Sequence, residues 1–162
     1  MLNGLDETDI QILEIIQRNA RLSNAQIGVS VSKSQASVNA RLKRLHDEGF
    51  ILRYVALLDH AKVERNVMAI TNLKLTDHSR KALKHFENEV NKLPEVLECL
   101  HVTGDYDFML KVIVKDIAAY QQFLENTVFE SVPLASVQSS IVLKQTKMGT
   151  AVAISGNSKS KE

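Results

Sequence analysis

Between Ser34 and Arg44 the chain runs Ser-Gln-Ala-Ser-Val-Asn-Ala-Arg-Leu-Lys-Arg, a stretch whose residue types suit a helix that reads another molecule. At about 100° per residue, Val38, Leu42 and Leu45 fall in one narrow sector and form the buried stripe. The opposite side carries Ala36, Ser37, Asn39, Ala40, Lys43 and Arg44, with Ser34 and Gln35 at the helix start and Arg41 beside them. Two alanines at the centre of an exposed face add no bulk, so the backbone can approach a flat partner closely. Small hydrogen-bonding groups stand near the helix start and cations near its end. A DNA major groove admits one helix, takes base contacts from its first turns and phosphate contacts around them. The plainer alternative is a solvated helix face in a small three-helix module.

A second group with chemical potential is Gly104-Asp105-Tyr106-Asp107. Exposed backbone amides and two carboxylates can meet a zwitterion, with Asp107 or Asp105 taking its ammonium group. Glycine and aspartate also make tight turns between strands, which by itself accounts for them. A carboxylate pair without histidine or further acids is thin for any cation, so no metal site is expected. His46, His60, His78, His85 and His101 are scattered and read as surface or interface residues. No nucleophile–base pair or phosphate loop stands out, and the residues call for no catalytic group and no cofactor.

These groups need elements to position them. A helix is expected from about Asp6 to Asn19, with Asp6 as cap and Glu7 and Asp9 at the positive end of its dipole. Ile10, Leu13 and Ile16, widened by Ile12 and Ile15, give it a broad apolar face. Ser23 and Gln26 have capping-box spacing, Ser34 caps the next helix, and Gly49 ends it. Ser30, Ser32 and Lys33 leave room only for a tight connection, which is the spacing of a helix-turn-helix. Phe50 to Leu58 reads as a strand, and the mixed polarity of Asp59 to Asn66 as a link, with a domain boundary near residue 60.

The second half alternates strand and helix. Strands are expected at Val67–Leu75, Val96–Val102, Phe108–Val114 and Val137–Leu143, with a turn at Gly104-Asp105. One helix opens at Asp77 or Ser79, carries Leu83, Phe86 and Val90 on one side, and stops before Pro94. The other is capped by Asp116, with Ile117, Tyr120, Phe123, Leu124 and Val128 on its inner face. The order β-α-β-β-α-β is the ferredoxin-like arrangement. The expected organisation is residues 1–60, residues 61–150 and a flexible tail over 151–162, whose polar end cannot build a core.

Composition bounds the rest. In 162 residues with 44% apolar content, one good core or two small ones can be buried. No apolar run is long enough to span a membrane, no signal peptide is evident, and a single cysteine, Cys99, suits a reducing cytoplasm. Net charge is only +1, but it is uneven: Lys33 to Arg53 holds five cations against two acids, and Asp6 to Glu14 holds four acids and no cation. A local basic patch is the electrostatic footprint that DNA binding wants.

Four stretches together resemble the Lrp/AsnC (feast/famine) family of transcriptional regulators: Leu5–Leu13, Arg21–Ile27, Arg41–Ile51 and, above all, Val102–Val112 (VTGDYDFMLKV). The similarity runs from about Leu5 to Lys147. It implies an α+β chain, with an N-terminal winged-type helix-turn-helix and a C-terminal ferredoxin-like (βαββαβ) dimeric sensing domain. It further implies double-stranded DNA as partner, homodimers assembling to octamers, and a small-molecule effector, an amino acid in most relatives. Thr103, Gly104, Asp105, Tyr106 and Asp107, with Ser139 on the last strand, are the effector-site residues the resemblance points to. The chain departs from the family pattern at Ser32-Lys33, where glycine and an apolar residue are usual, at Val132-Pro133 in place of Pro-Gly, and at Val137 in place of threonine. The expected protein is a cytoplasmic, ligand-responsive DNA-binding regulator and not an enzyme. The alternatives are an architectural DNA packer without a ligand and a small dimeric α+β enzyme.

Overall fold

The computed structural model describes residues 4–125 and 133–154. Val128, Val132 and the residues from 155 on, to which expectations were attached above, lie outside these. The chain forms two compact units, one made of the residues up to Ala56 with those from Lys147 onward, the other of Leu57–Thr146. The division falls between Ala56 and Leu57. Of the residues expected in a loose tail, only 151–154 are described, and these make contacts. The Val152 N–H donates to Gln17 Oε1 at 2.7 Å, Gln17 Nε2 donates back to the Val152 carbonyl at 3.3 Å, and Ile154 packs on the first unit's core. Ile154 supplies the apolar anchor that the polar composition beyond it obscured.

The first unit contains α1 (Glu7–Arg18), α2 (Asn24–Val31) and α3 (Gln35–Asp47). Reciprocal capping boxes start two of them: Asp6 with Asp9 on α1, and Ser23 with Gln26 on α2. Ser34 caps α3 by accepting the Ser37 N–H. Ile12, Leu13 and Ile16 of α1 meet Ile27 and Val31 of α2 and Val38 and Leu45 of α3, all buried, with Leu42 partly so. Each fully buried side chain of this kind contributes roughly 1.5–3 kcal/mol, which holds together helices too short to stand alone. The connection between α2 and α3 is tight. Ser32 adopts the left-handed conformation (φ 53°), and the Lys33 N–H donates to the Gly28 carbonyl at 2.9 Å. A Cβ on Gly28 would lie 2.6 Å from the Lys33 carbonyl oxygen, so the close approach requires glycine there. After α3, Gly49 takes φ 79° and Ile51 turns back into the core, its N–H donating to the Leu45 carbonyl.

The strand expected over Phe50–Leu58 is not formed. The segment holds β-favouring residues but finds no ladder partner within the chain, and Leu52, Tyr54, Val55, Leu57 and Leu58 are all exposed. No wing strand occurs among the described residues of the first unit. Within the second unit a 3-10 turn, Ala61–Val63, precedes the sheet.

The second unit is a four-stranded antiparallel sheet in the order β2-β3-β1-β4, from β1 (Val67–Leu75), β2 (Val96–His101), β3 (Phe108–Val114) and β4 (Leu134–Ile141). With α4 (Arg80–Val90) and α5 (Ile117–Phe123) it gives the βαββαβ order expected. Strand alternation sends Ala69, Leu73, Leu75, Leu110 and Val112 toward Phe86 and Val90 of α4 and Tyr120 and Phe123 of α5. By the same alternation Met68, Ile70, Asn72 and Met109 point to the other face. Two expectations shift. β4 starts at Leu134 and ends at Ile141, leaving Leu143 98% exposed, and Ile117 is exposed rather than inward, because its place in the first turn of α5 faces solvent.

Candidate DNA-binding face and effector pocket

On α3 the residues singled out from sequence do share a face. Gln35, Ala36, Asn39, Ala40 and Lys43 are exposed along one side, with Ser34 at the cap, and Ser37, Arg41 and Arg44 half-buried at its margin. Asn39 is held in place: its Oδ1 accepts from Nδ2 of Asn24, the first residue of α2, at 3.2 Å. A shallow concavity of about 540 Å³ lies against Asn24, Ser34, Gln35, Ala36 and Asn39.

The cations are less free than their sequence positions suggest. Arg41 Nη1 is 2.7 Å from both Asp6 Oδ2 and Asp9 Oδ1, and Arg44 Nη2 bonds to Asp9 Oδ2. Lys43 pairs with Asp47 at 3.0 Å, while Lys33 forms no ion pair among the described residues. Burial pushes the Asp9 carboxyl up, but hydrogen bonds from Arg44, the Asp6 N–H and Arg41 more than offset it and hold it below its ordinary value. The Asp9 N–H and Arg41 hold Asp6 down likewise. The acidic run and the basic run of the sequence thus meet. Nothing in their separation along the chain announced it.

In the second unit, the loop between β2 and β3 brings Thr103, Asp105 and Tyr106, but not Gly104 or Asp107, to the lining of a cavity of about 720 Å³, which Asn72, His101, Val102 and Met109 complete. Gly104 sits at φ 118°, a conformation that favours glycine. Tyr106 donates its hydroxyl to Gln138 Oε1 at 2.8 Å. Asp107 is not a free carboxylate. Its Oδ2 accepts the Leu75 N–H at 2.8 Å and lies 3.1 Å from His78 Nε2, and its own N–H donates to the Leu73 carbonyl. It fastens the loop to the end of β1. Asp105 is exposed and forms no hydrogen bond or ion pair among the described residues.

Ser139 is not brought to this cavity. It pairs with Thr71 on the helix-covered face and accepts from the Tyr120 hydroxyl at 2.6 Å, whereas its neighbour Gln138 stands opposite Asn72 and reaches Tyr106. Asn72, His101 and Met109, which line the cavity, and Gln138, which meets Tyr106, were not singled out from the sequence. Strand parity was the available signal, since one residue along a strand changes the face. Burial, with Glu87 nearby, pushes the Cys99 thiol up to about 11, so it is an inert, half-buried apolar group.

A helix-turn-helix with small residues exposed on its second helix, followed by a βαββαβ domain with a loop-rimmed cavity, is the architecture of a ligand-responsive DNA-binding transcriptional regulator. Residues 5–51 match the winged helix-turn-helix DNA-binding model and residues 68–152 the Lrp/AsnC ligand binding domain. The chain belongs to the Lrp/AsnC family. It is 32% identical to the transcriptional regulator AzlB of Bacillus subtilis over 150 residues, 93% of this chain and 96% of that protein. It is 36% identical, with the same coverage of both chains, to the proline dehydrogenase transcriptional activator of Rhizobium radiobacter. A transcriptional regulator of Neisseria meningitidis, solved as an L-Met complex, superposes with a TM-score of 0.86 at 34% identity, over 92% of this chain and 96% of that one. Among the described residues no helix is long and apolar enough to cross a membrane.

Proposed function

We propose that α3 enters the major groove of duplex DNA with Gln35, Ala36, Ser37, Asn39 and Ala40 toward the base edges, flanked by Ser34, Arg41, Lys43 and Arg44. The exposed pair of alanines beside the anchored Asn39 carries this reading. The effector is an amino acid bound at the β2–β3 loop. Asp105, the free carboxylate, takes the ammonium group, backbone amides around Thr103 and Gly104 take the carboxylate, and Val102, Tyr106 and Met109 wall the side chain. The L-Met complex of the Neisseria relative supports that ligand class. The protein works in the cytoplasm without catalysing a reaction. It is a homodimer joined through the helix-free face of its sheet, because that face carries Met68, Ile70 and Met109 with no layer over it among the described residues, and assembly of dimers to an octamer follows from the family resemblance alone.

Calorimetric titration of the full chain with the twenty amino acids, and DNA shift assays on the same sample, test this. At least one amino acid should release heat and change DNA affinity by roughly 5–150-fold, the usual range of coupling. Asp105→Ala should weaken that amino acid about tenfold without changing basal DNA binding, in line with the loss of a charge-assisted hydrogen bond. An Asp105→Ala protein that binds the same amino acid as tightly would remove Asp105 from the site. A chain that runs as a monomer at micromolar concentration would end the dimer reading.

A further inference from the structure

Asp9 is an aspartate buried to 1% exposure on α1, the helix that precedes the helix-turn-helix pair. Both of its oxygens are engaged: Oδ1 accepts from Arg41, and Oδ2 from Arg44 and from the Asp6 N–H. Asp6 adds a second carboxylate to Arg41 at 2.7 Å. Both arginines belong to α3, and the concave site of about 420 Å³ around them is also walled by Ser37 and Ala40 of the recognition face. Two acids therefore stand against two guanidiniums at the edge of the surface that meets DNA.

We propose that Asp9, assisted by Asp6, is a positioning residue for DNA recognition that offsets the charge of Arg41 and Arg44 and fixes their direction. The inference rests on α3 being the DNA-reading helix. A guanidinium has five N–H donors, and the carboxylates occupy only some of them. Arg44, with 40% of its side chain exposed, keeps donors for a phosphate or a base edge. Its attraction to DNA is thereby tied to one geometry and stripped of much of its long-range pull. Sequence-independent binding draws on net cation–phosphate pairing, whereas base reading draws on direction. Holding the first down raises the contrast between a matched site and bulk DNA. Of the five cations in the basic run from Lys33 to Arg53, two are compensated in this way, and Lys43 is paired with Asp47.

The test uses the full chain, a duplex selected by it from a random pool, and a scrambled duplex of the same composition. Asp9→Asn keeps an acceptor for the Asp6 N–H and removes the buried charge. Asp6→Asn keeps a good helix cap and removes the outer charge. Binding is measured across 50–200 mM salt, with circular dichroism to establish folding. Each freed cation that finds a phosphate steepens the log–log salt slope by about 0.9. Asp9→Asn should therefore steepen it by about 1, tighten the scrambled duplex several-fold at low salt, and shrink the preference for the selected duplex. Asp6→Asn should move all three in the same direction and decides the matter alone if Asp9→Asn does not fold. A merely structural carboxylate would weaken both duplexes and leave the slope unchanged. Folded variants with unchanged or shallower slopes overturn the inference while the DNA reading stands. A wild-type chain that binds no duplex overturns both.

Discussion

Among the described residues, each unit of the molecule holds one polar side chain, Asp9 or Thr71, almost completely buried, and the two are satisfied in opposite ways. Asp9 in the helical unit is charged and held by guanidiniums from Arg41 and Arg44. Thr71 in the sheet is neutral and lies 2.6 Å from the Tyr120 hydroxyl. That hydroxyl gives its single proton to Ser139 Oγ, so Thr71 donates to Tyr120 and the three form a chain. A buried charge is costly unless its partners are fixed, and it titrates. A chain of hydroxyls carries no charge and is cheaper to bury. The polar link in the DNA-binding unit is thus the stronger and the more conditional of the two.

Removing the charge should produce the largest effect. Asp9→Ala takes from Arg44 its close carboxylate, leaves Arg41 with Asp6 alone and unmakes half of the capping box, and should cost the first unit about 3 kcal/mol, toward the low end for a broken buried pair because the arginines are partly exposed. Thermal unfolding by circular dichroism measures this. The same link sets an acid limit. Asp9 and Asp6 have folded values depressed below 3.8, so their contribution is fully present above that pH and is lost as pH falls through the lower folded values. Acid titration should unfold the helical unit below about pH 4, and Asp9→Asn should flatten that part of the curve. If wild type and Asp9→Asn lose helix along the same curve, the contrast between the units fails.

Tyr120→Phe should have the middle effect. It strands the Thr71 hydroxyl in the core and should cost about 2 kcal/mol in denaturant unfolding, equally at pH 5 and pH 8. A pH-dependent loss would show that the hydroxyl chain is coupled to a charge. Ser139→Ala should have the smallest effect, about 0.5 kcal/mol, since Ser139 lies at the exposed end of the chain. It should leave the amino-acid response unchanged, because its side chain faces the helix layer rather than the cavity beside Tyr106. A lost response in a stable Ser139→Ala protein would restore Ser139 to the effector site.

What could be read in advance follows from which interactions are local. The buried stripe Val38, Leu42 and Leu45, the caps at Asp6, Ser23 and Ser34, and the βαββαβ order all follow from periodicity and capping within a few residues. The Asp9 cluster joins residues 32 and 35 positions apart, and the Asp107 latch joins residues 32 and 29 apart. No spacing rule reaches that far. The Phe50–Leu58 run shows the complementary failure, because β-propensity marks a segment fit for a ladder and supplies no partner for it. Ser139 and Gln138 show how one residue of phase decides which face of the sheet a side chain takes, and the sequence run alone carried no sign of that phase.

The tight connection between α2 and α3 fixes how this chain can vary. At position 28 any side chain would drive a carbon to within 2.6 Å of a backbone oxygen that cannot yield, and at position 32 a serine already tolerates a left-handed backbone. In a saturation map of the domain, position 28 is therefore closed to everything but glycine. Position 32, four residues on, stays open to glycine, asparagine and aspartate and is closed to β-branched residues. Lineages descended from this chain can drift at one end of the turn and are frozen at the other.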